Sequence, residues 1–169
     1  MATSVPLLPI LVGSKGIFDP HNWLGKVNSM SPKVIQIAVP IVLILHGVGH
    51  VMGVLTAAGV VGTDTWHSRS WLLTSLLGDS TARMIALILW SVTVVGFIAA
   101  GAGAFGWMVT AGSWRTIAVV MAVISLVALA LYWNAFASLF PNKVGSIAVN
   151  LAVLYGVLMA HRPATDIIA

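Results

Sequence analysis

The residues best placed to do chemistry are two histidines in the stretch "LILHGVGHVMG", Leu43 to Gly53. His46 and His50 stand four residues apart, so on a helix they point the same way, about one turn from each other. An imidazole can hydrogen-bond a quinone carbonyl, take an axial position on a haem or chlorin, chelate a metal, or tie one helix to another. Each chemistry asks for further groups. A quinone needs an apolar slot and donors such as Asn, Tyr or Trp. A haem or chlorin needs space beside the imidazole, which Gly47 or Gly49 would give. It also needs a second helix for any second axial ligand, because two histidines on one face lie on the same side of a macrocycle. HxxxH spacing can chelate zinc or copper, but a closed site wants more ligands. The chain has no Glu and no Cys, and His67, Asp64 and Asp79 all fall in one connecting segment, so no metal site is assigned. The remaining role is that of helix glue, in which the histidines bond each other, a Ser or Asn, or a neighbouring subunit, at about 0.6 kcal/mol per bond.

The surroundings of the pair are set by composition. Of the 169 residues, 59% are hydrophobic and 7% charged, and mean hydropathy is +1.03, whereas soluble domains carry about 25% charged residues. Such a chain cannot cover a water-facing surface and reads as a multi-pass membrane protein. The basic residues are scattered singly between apolar runs, from Lys15 to Arg162. That is the mark of membrane topology rather than of a phosphate-binding patch, so nucleic acid is not an expected partner. The absence of cysteine removes disulfides, thiolate metal sites and dithiol relays. "MATSVPLLPILVGSKG" has no basic region ahead of its apolar part and is not read as a cleaved signal peptide.

Four apolar segments approach or exceed the roughly 20 residues a helix needs to cross a bilayer: Val34–Val61, Ala82–Val109, Thr116–Ser138 and Val144–Ala160. Ser31 and Pro32 suit the start of the first, and Pro40 predicts a kink just before the histidines. Between the first two spans, "GTDTWHSRSWLLTSLLGDST" is too polar to cross. Thr63 or Asp64 is expected to cap an amphipathic helix lying at the membrane surface, Gly78 to end it, and Asp79 to cap the second span. The other connections are short, so successive spans should be antiparallel neighbours. Both termini then share a side carrying Lys15, Lys26, Lys33, Arg115 and Arg162, against Arg69, Arg83 and Lys143 on the other, which favours cytoplasmic termini.

Facing lipid, the imidazoles would lack partners, so the pair should face protein, a cofactor or water. Gly49 and Gly53 form a GxxxG pattern that would admit a neighbouring helix or a flat ligand, and "GFIAAGAGAFG" offers a small-residue packing surface. Arg83, Tyr132, Trp133, Asn134, Ser146 and Asn150 all fall in the half of the bundle nearer the surface helix. Ser146 and Asn150 share a face. These positions suggest a pocket lined by His46, His50 and Asn150 and roofed by the surface helix with His67. His21 and His67 read as interfacial, and His161 as a helix end. Acidic ion-coupling residues are missing from the spans, which weighs against a transporter.

The order of elements resembles a known layout. A first span ending near Gly59, an amphipathic "WLLTSLLG", an entry "DSTARMIALILW", a Gly-rich end "GFIAAGAGAFG" and two closely spaced spans resemble the DoxX/DoxD-like family of small four-helix membrane proteins, over about Val34 to Ala160. The resemblance implies membrane redox work of the quinone-linked kind, often as one subunit beside others. Where that family commonly has a basic residue near the end of its first span, this chain has "HGVGH", and no functional residue is carried over.

The expected fold is therefore all-α, an integral membrane four-helix bundle with a short interfacial amphipathic helix between spans one and two. Residues 1–33 form an N-terminal interfacial segment, 34–161 the transmembrane domain and 162–169 a tail. The expected function is that of a small membrane subunit of a redox or electron-transfer assembly, with His46, His50 and Asn150 lining a quinone-sized pocket. The alternatives are a ligand-free structural or assembly subunit and a haem- or chlorin-binding subunit. The expected partners are the bilayer and other membrane subunits.

Overall fold

Proline opens the first helix, and glycines mark several of the joints that follow. The computed structural model describes residues 32–63, 66–107, 112–135 and 142–159. Apart from Pro32 and Lys33, the expected N-terminal segment lies outside the described residues, as do the C-terminal tail, Asp64 and His161. The chain divides into two units, Met1–Pro32 and Lys33–Ala169, and the second holds everything that follows.

The helices are α1 (Pro32–Gly49), α2 (Val51–Ala58), α3 (Leu73–Leu77), α4 (Asp79–Ala104), α5 (Ser113–Leu131) and α6 (Val144–Met159). The only strand-like pairing among the described residues is one antiparallel bridge, Thr63 to Trp66. Three stretches are long and apolar enough to cross a membrane: Lys33–Ala58, which joins α1 and α2, then α4 and α5. α6 is apolar but shorter, at 16 residues.

Several boundaries differ from those expected. α1 runs through Pro40, and the first apolar stretch is interrupted at His50. There the His50 N–H donates to the Gly47 carbonyl at 3.1 Å and the Gly53 N–H to the His50 carbonyl at 3.0 Å. Both bonds span three residues, so the turn tightens locally where the sequence is rich in glycine. Asp79 is the first residue of α4 rather than its cap, and it pairs with Arg69 at 3.2 Å. The residue ahead of it, Gly78, holds φ at 83°, a conformation that side chains other than glycine rarely adopt.

The helix between the first two spans covers only Leu73–Leu77. The residues ahead of it are used otherwise. The last carbonyls of a helix have no partner within it, and this segment supplies donors to the end of α5 and to the turn Trp133–Ala135 beyond it. Ser70 Oγ donates to Leu131 O, the Trp71 indole to Ala130 O at 2.8 Å, and the His67 N–H to Ala135 O at 3.4 Å. Asn134 Oδ1 in turn accepts from the Trp71 N–H at 3.1 Å. The segment is thus pinned across the end of α5 and stays irregular until Ser70 Oγ receives the N–H groups of Leu72 and Leu73.

Helices this apolar must approach one another closely to make contact along their length. Here glycine permits it. A Cβ on Gly101 of α4 would lie 2.8 Å from the Pro40 carbonyl oxygen of α1, and one on Gly47 would lie 3.0 Å from Phe97 Cβ. The apolar contacts fall into two layers. Ala57, Ala86, Trp90, Ala128, Leu129, Tyr132 and Ala135 form one; Leu43, Phe97, Ala100, Ala118, Met121 and Ala122 form the other. On α4 and α5 the sequence between the layers supplies one buried polar residue each, Thr93 and Ser125.

Candidate functional site

A chain of four polar side chains lies at the level between the two apolar layers. His46 Nε2 donates to Asn150 Oδ1 at 3.1 Å. Asn150 Nδ2 donates to Ser125 Oγ at 2.8 Å, and Ser125 Oγ lies 3.1 Å from His50 Nε2. Asn150 and Ser125 are fully buried and His50 is nearly so. The chain therefore joins three helices, α1 with its break, α5 and α6, through side chains alone.

The donor roles follow from chemistry. An amide oxygen only accepts, so His46 carries its proton on Nε2. Ser125 Oγ receives an Asn150 N–H and retains both its own hydrogen and a second lone pair, so it can pair with either tautomer of His50 at Nε2. The direction is thus set from His46 through Asn150 to Ser125. Among the described residues no buried side-chain nitrogen or oxygen lacks a partner. Thr93, the remaining polar residue at this level, turns its hydroxyl back to Leu89 O at 2.7 Å.

α4 holds the rings in place with two aromatics. His50 stacks on Trp90 with centroids 5.3 Å apart and the planes 24° from parallel, and Phe97 meets His46 edge-on at 4.8 Å. The two imidazoles meet each other edge-on at 4.7 Å. Gly53 makes this approach feasible, because a Cβ there would come within 2.8 Å of the Trp90 ring. Gly49 has nothing near that position and is exposed. The GxxxG pair thus divides: Gly53 packs against Trp90 and Gly49 meets nothing, while Gly47 makes a separate close approach to Phe97.

Beside His50 is a cavity of about 60 Å³ lined by Gly49, Met52, Gly53, Trp66, Trp90, Leu129, Asn142 and Ser146. Small-molecule pockets usually have about 300 Å³ or more. The cavity has room for one or two waters. Trp66 rather than His67 lies over it. His67 instead borders a different and wider cleft together with Arg69, Trp71, Asp79 and Asn134. Among the described residues no group of three His, Cys, Asp or Glu side chains comes together as a metal site would require.

Of the expected site residues, His46, His50 and Asn150 do meet, through Ser125. Ser146 reaches the cavity but not the hydrogen-bonded chain. Arg83 takes a separate position: its Nε donates to Ala57 O at 2.6 Å, at the end of α2. Ser125, Trp90 and Phe97 were not singled out in the sequence. The signal for Ser125 was one hydroxyl alone in the middle of "AVISLVALAL".

No protein-family model matches the chain, and neither curated proteins nor solved structures provide a match.

Proposed function

We propose that this chain is a small multi-pass membrane subunit in which the two histidines are internal ties between helices, so that it serves as a ligand-free structural or assembly component of a larger membrane complex. All four apolar helices cross in this reading. α6, at about 24 Å for its 16 residues, would need local thinning of the bilayer or extension at its ends. The termini then share a side, which the distribution of basic residues makes cytoplasmic.

The observation that carries the reading is that both Nε2 atoms already have side-chain partners, Asn150 and Ser125. The small volume beside His50 supports it, since a quinone ring or macrocycle would need the neighbours of the pair to move apart. The resemblance to DoxX/DoxD-like proteins supports membership of a redox assembly, with the chemistry residing in other chains.

The test is an absorption spectrum with solvent extraction and mass spectrometry on protein purified in mild detergent. The reading expects a colourless chain free of stoichiometric quinone, accompanied by copurifying subunits. A haem, chlorin or quinone that is retained by the wild type and lost from His46→Leu/His50→Leu would overturn it in favour of a cofactor site.

A further inference from the structure

A wider cavity than the one beside His50 lies away from His46 and His50. It is a cleft of about 620 Å³ lined by residues of the 67–79 segment and Asn134. It lies where α4 begins and just beyond the end of α5, both of which are long and apolar enough to cross a membrane. The ends of such helices sit at headgroup depth. Trp71 on its rim is 59% exposed, as an interfacial tryptophan would be.

The chemistry of the cleft has both signs. Arg69 Nε and Asp79 Oδ1 form an ion pair at 3.2 Å, with their side chains 65% and 66% exposed. Beyond Nε the guanidinium carries two amino groups, and beyond Oδ1 the carboxylate carries a second oxygen, so an exposed pair of this kind has donors and acceptors to offer a ligand. His67 Nδ1 accepts the Arg69 N–H at 3.3 Å, so the proton of the neutral ring is on Nε2 and makes a further donor. The floor is held rigid by the bonds of Ser70 and Asn134 to their partners.

We propose that this cleft binds the headgroup of a zwitterionic phospholipid, with its phosphate on Arg69 and its ammonium on Asp79. A lone anion would bring its phosphate against the Asp79 carboxylate, whereas a zwitterion matches both charges in turn. Arginine suits the phosphate oxygens because its donors form a planar fork. Leu76 and Leu77, exposed next to the cleft, offer apolar surface to the acyl chains. The proposal rests on the membrane reading but not on the role given to the histidines.

The test is native mass spectrometry of the full chain released from nanodiscs containing equal parts phosphatidylethanolamine and phosphatidylglycerol with matched acyl chains. The wild type should retain phosphatidylethanolamine. Arg69→Gln and Asp79→Asn should each weaken that retention by about tenfold, the size of one charge-assisted hydrogen bond. An ion pair this exposed contributes little to folding, so both variants should remain folded, and circular dichroism checks this. Retention of phosphatidylglycerol in preference, or equal retention by wild type and variants, overturns the proposal. So does displacement of the lipid by soluble phosphoethanolamine at millimolar concentration, which would assign the cleft to a soluble phosphate ester. A chain that needs detergent for extraction yet shows no headgroup preference would sink this proposal and leave the membrane reading standing.

Discussion

Ser125 Oγ stands 3.1 Å from His50 Nε2, and it is also the acceptor of the Asn150 amide, so one hydroxyl joins the two halves of the polar chain. Removing it leaves two buried groups unpaired at once. Ser125→Ala is expected to destabilise the chain by about 1–2 kcal/mol, above the average membrane hydrogen bond of ~0.6 kcal/mol because both neighbours lose a partner. Unfolding by denaturing detergent from bicelles measures this. The double variant Ser125→Ala/His50→Leu should cost less than the sum of the single changes, since each removes the same bond.

Gly49 and Gly53 separate two explanations of the glycine pattern. Gly53→Ala drives a methyl into the Trp90 ring and should cost about 1–3 kcal/mol by overpacking. Gly49→Ala meets nothing within 4 Å and, at the last residue of α1, should be neutral or stabilising by up to ~1 kcal/mol. Equal effects at the two sites in a thermal unfolding assay would contradict the packing described.

Arg83 closes the end of the first span. Its guanidinium donates to Ala57 O and crowds the place where a Cβ on Gly59 would stand. Gly59 holds φ at 76° as the left-handed residue that ends α2. Arg83→Met should lose about 0.3–1 kcal/mol, the usual worth of a cation at a helix C-terminus. Hydrogen exchange of the last α2 amides should accelerate. Unchanged exchange there would show that the contact adds nothing.

How much of this was legible in the sequence depends on what sets each feature. The apolar runs and the shared face of His46 and His50 follow from hydropathy and helical period, and both can be read directly. The meeting of the pair with Asn150 followed from depth, because residues at one level of antiparallel helices can reach each other. Which residue completes the contact depends on how each helix is rotated. A helix that is apolar nearly all round carries little record of that, and so Ser125 was missed. The length of α3 was misjudged for another reason. The amphipathic pattern of the segment is present, but Ser70 and Trp71 give their donors to the exposed carbonyls of α5, a long-range demand that local sequence does not reveal. The break at His50 was not foreseen, because the sequence was read for a kink at Pro40 and not for a turn that tightens among the glycines.

The most direct test of the central claim is nitrogen-15 solid-state NMR of the histidine side chains in lipid bilayers, with His46→Gln and His50→Gln used to assign the signals. The polar chain predicts that His46 carries its hydrogen on Nε2, that both Nε2 atoms are hydrogen-bonded rather than coordinated, and that Asn150→Leu removes the Nε2–H hydrogen-bond shift of His46. Rings showing the shift of a coordinated nitrogen, or a His46 ring that does not respond to Asn150→Leu, would contradict the account and return the pair to the role of a ligand site.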